Sequence, residues 1–467
     1  MVIIFNMEMM YKFVYNLEKL DDIRRLLMVK KNEIIEININ KVNFPNKGKA
    51  IFEGQEIRLK GGIEGQKVSA RISRKRKDYL EAKIVDILEK SPMETERGCP
   101  HYGVCGGCAY QTLSYENEID YKLKQVKGLF EDADPDVNFL GIEASPLVQG
   151  YRNKMEYTFG DEEKDGPLAL GLHRKGRFYE VINTDECNIV DEDFTKIRQR
   201  VIQYFQSKGS PFYNKRKTEG YLRHLVIRKA LSTGEILVNL VTTSQDTLDR
   251  EEFVDELVNL GLNGEIKGIL HSINDGLGDT VAADSLELLY GRDYIVEEIL
   301  GLKFEISPFS FFQTNTFGAE RLYSVVREFI GDRKSELVYD LYSGTGTIAQ
   351  ILSPVAKEII GIEIVEEAVE KAIENTKLNG LENVEFMAGD VLKAVDDLRD
   401  KPDLIIIDPP RDGIHPKAIN KIIDFNPENF IYVSCNPVTL VRDLKVFMER
   451  GYKVDKVKLI DMFPRTG

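Results

Sequence analysis

The chain has 467 residues, 42% hydrophobic and 30% charged, enough to bury the cores of two or three domains. No apolar run is long enough to span a bilayer, and a formal charge of −14 excludes a uniformly basic nucleic-acid binder, leaving that role to local patches. Residues 1–28 include Val2-Ile3-Ile4-Phe5 without a basic start or a small-residue cleavage site. They read as an extension ahead of a start near Met28-Val29, and the compartment is expected to be cytoplasmic and reducing.

Residues 29–90 break the acidic trend with 15 Lys and Arg against 9 Asp and Glu, clustered from Arg71 to Lys77. Five short strands with glycine turns (33–43, 49–53, 56–60, 67–76 and 79–88) predict an OB-like barrel. Such a fold commonly carries single-stranded nucleic acid on a basic face, although a solvated charged rim would have the same composition.

The five cysteines are Cys99, Cys105, Cys108, Cys187 and Cys435. Cys99-x5-Cys105-x2-Cys108 lies in a glycine-rich turn, and Cys187 follows in a second loop. In reducing surroundings clustered thiols favour a metal over disulfides. Zinc and an iron–sulfur cluster both fit, as do unrelated buried cysteines, and spacing does not choose among them. Cys435 stands apart at a strand tip, which suits a nucleophile.

Between 150 and 300, strand-like runs (151–159, 168–174, 221–229, 235–243, 266–274) alternate with helical stretches at 192–207 and 249–260. Arg152, Lys154, Arg174, Lys175, Arg223 and Arg228 offer an RNA path, though each alone reads as a solvated strand charge. Phe309-Ser310-Phe311-Phe312-Gln313-Thr314-Asn315 is a Phe-rich turn leading into a helix at 316–330. Its polar members, Gln313 and Asn315, immediately precede the C-terminal sheet.

That sheet opens with Leu337-Val338-Tyr339, running into Asp340-Leu341-Tyr342-Ser343-Gly344-Thr345-Gly346-Thr347, a turn whose backbone can approach a ligand closely. Glu358 to Glu363 is the next strand, with Glu363 at its tip in the place of a ribose-binding acid. Gly389-Asp390 follows a third strand. Asp403 to Ile407 is a short branched run that breaks at Asp408-Pro409-Pro410-Arg411, and after a helix near 415–424 the strand Phe430-Ile431-Tyr432-Val433 delivers Ser434-Cys435-Asn436-Pro437. In an open α/β sheet both strand ends face the ligand crevice. A lone GxG is weak, but with Glu363, Asp390 and Asp408 the pattern resembles the S-adenosylmethionine site of a class I (Rossmann-like) methyltransferase.

The ordered set Cys99-x5-Cys105-x2-Cys108…Cys187, Phe311-Phe312-Gln313, Asp340-Leu341-Tyr342, Gly361-Ile362-Glu363, Asp408-Pro409-Pro410-Arg411 and Ser434-Cys435-Asn436-Pro437 resembles the RNA uracil-5-methyltransferases. Most similar are the 23S ribosomal RNA (uracil-5-)-methyltransferases that carry a TRAM domain and an iron–sulfur cluster, over about residues 29–467. The resemblance implies a multidomain architecture: a TRAM barrel binding RNA at 29–90, a central α+β domain at 91–310, and a methyltransferase domain at 311–467. It also implies a [4Fe–4S] cluster on Cys99, Cys105, Cys108 and Cys187, Cys435 as nucleophile, and methyl-donor contacts from Gln313, Tyr342, Glu363 and Asp408. Gly344 and Asp390 belong with these. Thr347 stands where some relatives have asparagine. Residues 117–148 are expected to fold back on the catalytic domain, and the protein to act as a monomer on RNA.

The chemistry follows from the substrate. Uracil C5 is a poor nucleophile until a thiolate adds at C6; C5 then attacks a sulfonium methyl, and a general base takes the C5 proton before the thiolate leaves. The base must leave its stack to reach such a crevice. Cytosine-5 RNA enzymes carry a Pro-Cys pair where this chain has Pro409-Pro410, and amine methylation would leave Cys435 unused. A non-catalytic RNA-binding or assembly factor would not need Gln313, Glu363, Asp408 and Cys435 together. Ribosomal RNA is favoured over transfer RNA because transfer-RNA relatives often lack the barrel and the cluster cysteines. Tyr452 to Ile460 is expected to be the sixth strand of the catalytic sheet. In the family, Phe-Pro-x-Thr-x is usually followed by His-Val-Glu, whose glutamate is thought to take the C5 proton. The sequence ends before that triplet and is expected to be a truncated form, with Asp461 the nearest substitute base.

Overall fold

The computed structural model describes residues 29–131, 133–134, 136–278, 281, 283–331, 335–394, 398 and 401–467, and every statement below concerns these. The expected extension, 1–28, lies outside them. Contacts divide the chain into two units, 1–94 and 95–467.

In the first unit, β1 (Ile34–Asn38), β2 (Lys41–Asn43), β3 (Lys47–Phe52), β4 (Gln55–Lys60), β5 (Lys67–Lys75) and β6 (Tyr79–Glu89) form one sheet in the order β1-β5-β6-β4-β3-β2. Alternate residues, among them Ile35, Ile37, Val68, Ala70 and Ile72, turn inward. The strand expected over 33–43 is broken because Ile39 donates to Gln66 and Asn40 to Lys49, so the chain changes partners there. Part of the basic cluster is neutralised, since Arg76 pairs with Glu81 at 2.8 Å.

The second unit begins with α1 (Tyr115–Phe130) and β7 (Phe139–Glu143). Next come β8 (Lys154–Asp161), β9 (Leu168–Arg174), β10 (Arg177–Asn183), α2 (Glu192–Lys208), β11 (Leu222–Lys229), β12 (Glu235–Thr242), α3 (Arg250–Val258), β13 (Glu265–Ile273) and β14 (Ser285–Gly291). These strands make one sheet in the order β10-β9-β8-β11-β12-β13-β14, with Phe194, Ile197, Val201 and Phe205 of α2 packed on it. Strand β11 is buried throughout. Arg223 and Arg228, expected as solvated charges, instead donate to main-chain carbonyls: Arg223 to Asn274 (2.6 Å) and Gly276 (2.7 Å), Arg228 to Pro308 (3.1 Å). A buried cation is tolerated only with such partners.

A hairpin, β15 (Ile295–Ile299) and β16 (Leu302–Ile306), leads to α4 (Thr316–Ile330). The remainder is β17 (Ser335–Leu341), α5 (Thr347–Leu352), β18 (Ala356–Glu363), α6 (Glu366–Leu378), β19 (Val384–Ala388), α7 (Val391–Ala394), β20 (Leu404–Ile407), α8 (Pro416–Asp424), β21 (Asn429–Tyr432), α9 (Pro437–Glu449) and β22 (Val457–Ile460). The sheet β19-β18-β17-β20-β21 is parallel in every pairing. One of its faces shares a core with Leu237, Leu270, Ile295 and Phe304, which draws the expected central and catalytic segments into one unit. The other packs on α8 and α9 through Ile419, Ile422, Ile423 and Phe447.

Strand β22 does not join this sheet. It pairs in parallel with β7, and Asp461 N–H continues the ladder to Glu143 at 2.9 Å, so its edge is satisfied by a segment from far earlier in the chain. Tyr452 is outside the strand and packs on Phe430 with ring centroids 4.9 Å apart. Beyond β22, Lys122 of α1 binds Asp461 and Glu118 at 2.8 Å each, and Arg465 binds Glu118 at 3.1 Å. Glu118 is fully buried. Glu118→Ala should therefore destabilise the unit by about 3 kcal/mol, because Arg465 loses its counter-charge and Lys122 one of its two. A urea midpoint unchanged from the parent would contradict this role.

Candidate active site

Strands β17 and β20 lie side by side, with Leu341 opposite Ile407, so their next residues emerge together at the carboxyl edge. Sheet order reverses here, the position at which open α/β sheets bind ligands. Asp340 is fully buried; its Oδ2 accepts from Ala349 N–H at 3.1 Å, while Oδ1 has no partner. Burial, and then the neighbouring Asp408 carboxylate, push the Asp340 carboxyl up to about 8. Burial likewise pushes Asp408 up to about 7. Two adjacent carboxylates in low dielectric resist ionising together.

After β17 the chain turns through Tyr342, whose φ is 65°. Gly346 has φ of 72°, and an added Cβ would fall 2.3 Å from the Phe386 ring, so only glycine fits. Glu363 Oε2 accepts Gly344 N–H at 2.9 Å and Oε1 accepts Val365 N–H at 3.0 Å, which ties this turn to the end of β18. The Tyr342 phenol is pushed up to about 12 by burial and by Asp390, and so remains a neutral donor. Asp390 caps α7 through Leu392 N–H at 3.0 Å. Thr347 Oγ1 meets Thr345 Oγ1 at 3.5 Å, and Thr345 reaches the Phe311 carbonyl at 3.5 Å. That contact brings in the 311–315 turn, in which Phe312 is buried but Phe311 is 72% exposed. The Gln313 carbonyl accepts from Asn153 Nδ2 at 3.0 Å, and Asn315 caps α4.

Cys435 is exposed, on the turn between β21 and α9. Its thiol is pushed up by burial and then by Asp408, while the Arg411 guanidinium opposes both. With its thiol raised rather than depressed, Cys435 needs a neighbouring base to become a nucleophile. Asn436 caps α9 and donates from Nδ2 to the Arg411 carbonyl at 3.0 Å. Arg442 reaches the Asp412 carbonyl at 2.9 Å, and Asp443 accepts Ile414 N–H at 2.8 Å, so the segment after Asp408 is fastened to α9. Asp408 and Arg411 thereby stay close enough to Cys435 to act on its charge.

The remaining four cysteines are free thiols on two loops that are tied together. Gln111 bonds Asn188 at 2.8 Å, and Asn188 bonds the Gly98 carbonyl at 3.0 Å. Cys108, at about 12, and Cys187, at about 11, are pushed up by burial and, more weakly, by neighbouring thiols including Cys99 and Cys105. Gly107 N–H points to the Cys105 sulfur at 3.3 Å and the Gln111 amide to that of Cys108 at 3.5 Å. Among the described residues, no three or more Cys, His, Asp or Glu are gathered so as to hold a metal ion.

The profile of the family described as tRNA (Uracil-5-)-methyltransferase matches residues 282–467. An uncharacterized RNA methyltransferase of Caldanaerobacter subterraneus subsp. tengcongensis is 52% identical over 437 residues, covering 93% of this chain and 97% of the relative. One from Clostridium tetani is 52% identical over 441 residues, covering 94% and 97%. The chain belongs to the RNA (uracil-5-)-methyltransferase family. The solved Pyrococcus abyssi tRNA (uracil-54, C5)-methyltransferase, in complex with S-adenosyl-L-homocysteine, superposes with a TM-score of 0.72 at 25% identity, covering 92% of this chain and 97% of that one.

In this RNA (uracil-5-)-methyltransferase the sequence reading overlooked the buried titrating carboxyl of Asp340 and the cation beside Cys435. A polar residue closing the apolar run Leu337-Val338-Tyr339 was the available signal for the first; nothing in the sequence placed Arg411 against Cys435. Because Asp340 ordinarily titrates near 3.8, its raised value means the folded state binds the extra proton. Its contribution is complete below pH 3.8 and is lost as pH rises through about 8. Unfolding free energy should fall across that window by up to about 1.4 kcal/mol per pH unit. Asp340→Asn should flatten the fall; an unchanged profile would show that Asp340 ionises freely.

Proposed function

We propose that the protein transfers the methyl group of S-adenosylmethionine to uracil C5 in RNA, through a covalent bond between Cys435 and uracil C6. The observation that carries this is that Asp408 and Arg411 act on Cys435 while Asp408 and Glu363, which holds the Gly344 turn, both act on Asp340. The buried, unpartnered Asp340 Oδ1 and Ser343 Oγ are polar atoms a methyl donor would satisfy, and Gly344 leaves open space above the turn. Gln313, Tyr342, Gly344, Thr347, Glu363, Asp390 and Asp408 would hold it. When bound, it supplies an electrophilic methyl.

Asp408, titrating near neutrality, is matched to accept the thiol proton, and Arg411 favours the resulting thiolate. The thiolate adds to uracil C6, C5 takes the methyl, the C5 proton passes to a base, and the C6–S bond breaks to release Cys435. Cys435→Ala should abolish transfer to RNA while leaving S-adenosylhomocysteine affinity within about threefold. Turnover by that variant would defeat the assignment.

Cys99, Cys105, Cys108 and Cys187 are the residues we assign to a [4Fe–4S] cluster. Their two tied loops and the N–H donors aimed at sulfur suit thiolate ligands, which are hydrogen-bonded in such sites. The group would brace these loops and supplies no step of the transfer. Protein prepared without oxygen should contain iron and sulfide in equal amounts, and Cys108→Ala should lose both; one equivalent of zinc and no iron would refute the cluster. We favour 23S ribosomal RNA as substrate. Transfer RNA is the second reading, because the superposable archaeal relative is named for it. Mapping 5-methyluridine in a deletion strain separates the two.

A further inference from the structure

The β9–β10 hairpin carries a surface that the transfer chemistry does not use. Its turn residue Gly176 has φ of 76°, and the next residues, Arg177, Phe178 and Tyr179, point into solvent. Phe178 is 52% exposed and Tyr179 60%, large values for aromatic side chains on a rigid strand. Cations from the segment after α2 lie over both rings, Lys215 Nζ 4.6 Å from the Phe178 centroid and Arg216 4.3 Å from that of Tyr179. His173 stacks on Phe178 at 4.7 Å with 17° between the planes. Residues 173–180 and 215–219 hold six Lys and Arg against two Glu, in a chain whose formal charge is −14. One of those glutamates, Glu180, is shared by Arg174 at 2.7 Å and Arg177 at 2.6 Å, which leaves the cations in excess.

The hairpin is also fixed in place by the cysteine loop. Gly106 N–H donates to the His173 carbonyl at 3.2 Å and Lys175 N–H to the Val104 carbonyl at 2.7 Å. Exposed aromatic faces interleaved with cations and held on a strand pair are a stacking platform for bases whose phosphates meet the cations. A duplex keeps its bases stacked on one another and could use only the charges. We infer that the β9–β10 hairpin and the 215–217 segment bind an unpaired stretch of the RNA substrate, with a base on the exposed Tyr179 ring, which Phe178 flanks edge-on, and phosphates on the lysines and arginines. This deepens the proposed function and rests on it.

The full-length protein should bind a labelled single-stranded RNA 16-mer more tightly than a duplex of equal length. Phe178→Ala with Tyr179→Ala should weaken single-strand binding about tenfold or more, given roughly 1–3 kcal/mol per stacked base, and leave duplex binding within twofold. Phe178→Leu with Tyr179→Leu keeps the apolar bulk and should lose the same affinity, while thermal melts of both variants match the parent. Replacing Lys215, Arg216 and Lys217 by alanine should reduce the slope of log K against log salt by about 2. In methylation assays on bulk RNA the aromatic variants should raise KM and hold kcat within twofold. If the parent methylates RNA and the aromatic variants bind single strands as it does, the hairpin platform is refuted and the proposed function stands. If the parent transfers no methyl to any RNA, the proposed function falls and the hairpin inference falls with it.

Discussion

The parallel pairing of β17 with β20 is the constraint on which the rest depends. Its register sets Leu341 against Ile407, and the two chains leave the sheet as neighbours, one into the glycine turn and the other into Asp408-Pro409-Pro410. A slip of β17 by one residue would turn its side chains to the opposite faces, moving Asp340 out of its buried site and Tyr339 or Leu341 into it. The branched runs on β20 and β18 prevent this, since they fill cores on both faces of the sheet. Apolar packing thus fixes the position of groups that are themselves poor contributors to stability.

Those groups are held by main-chain partners more than by opposite charges. Glu363 is engaged by two N–H groups, and Asp340 by one. Arg228, deep in the neighbouring sheet, grips the carbonyls of Pro308 and Ser310, and burial lowers it to about 10. Its hold reaches the turn that carries Gln313, from which Asn153 also takes a carbonyl. The central sheet therefore acts as a frame for the crevice, which explains why the two parts share a core rather than a linker.

Much of this was legible because short apolar runs ending at a turn or an acid announce parallel strands: 337–339, 358–363, 403–407 and 430–433 emerge from the sequence as such, each within two residues of the observed element at either end. The helix at 316–330 was legible to the residue, whereas Asn315, singled out only as a polar residue before it, proves to be its cap. Less legible were elements whose partner is remote. β22 has the composition of a sheet strand, and local pattern cannot tell that it pairs with β7 and not with β21. The charges of β11 were misread for a related reason: Arg223 and Arg228 look solvated until the carbonyls of 274–276 and 308–310 arrive from distant turns. Cys435 was placed by its strand tip and Asp408 beside it by the neighbouring one, but the burial that chiefly raises its pKa could not be read from either run.

The segment 461–465 has a consequence for how the protein is made. Arg465 closes onto Ala109 and Tyr110, directly after Cys108, and onto the Leu113 carbonyl 352 residues earlier. Tyr151 bonds the Pro464 carbonyl at 2.9 Å, and Asn315 bonds that of Met462 at 2.9 Å. At roughly 5–20 residues per second, the cysteine loop would wait on the order of 20–70 s on the ribosome before its final lining is synthesised. Through that interval Ala109 and Tyr110 lack these partners, so folding of the cysteine loop waits on the synthesis of 461–465.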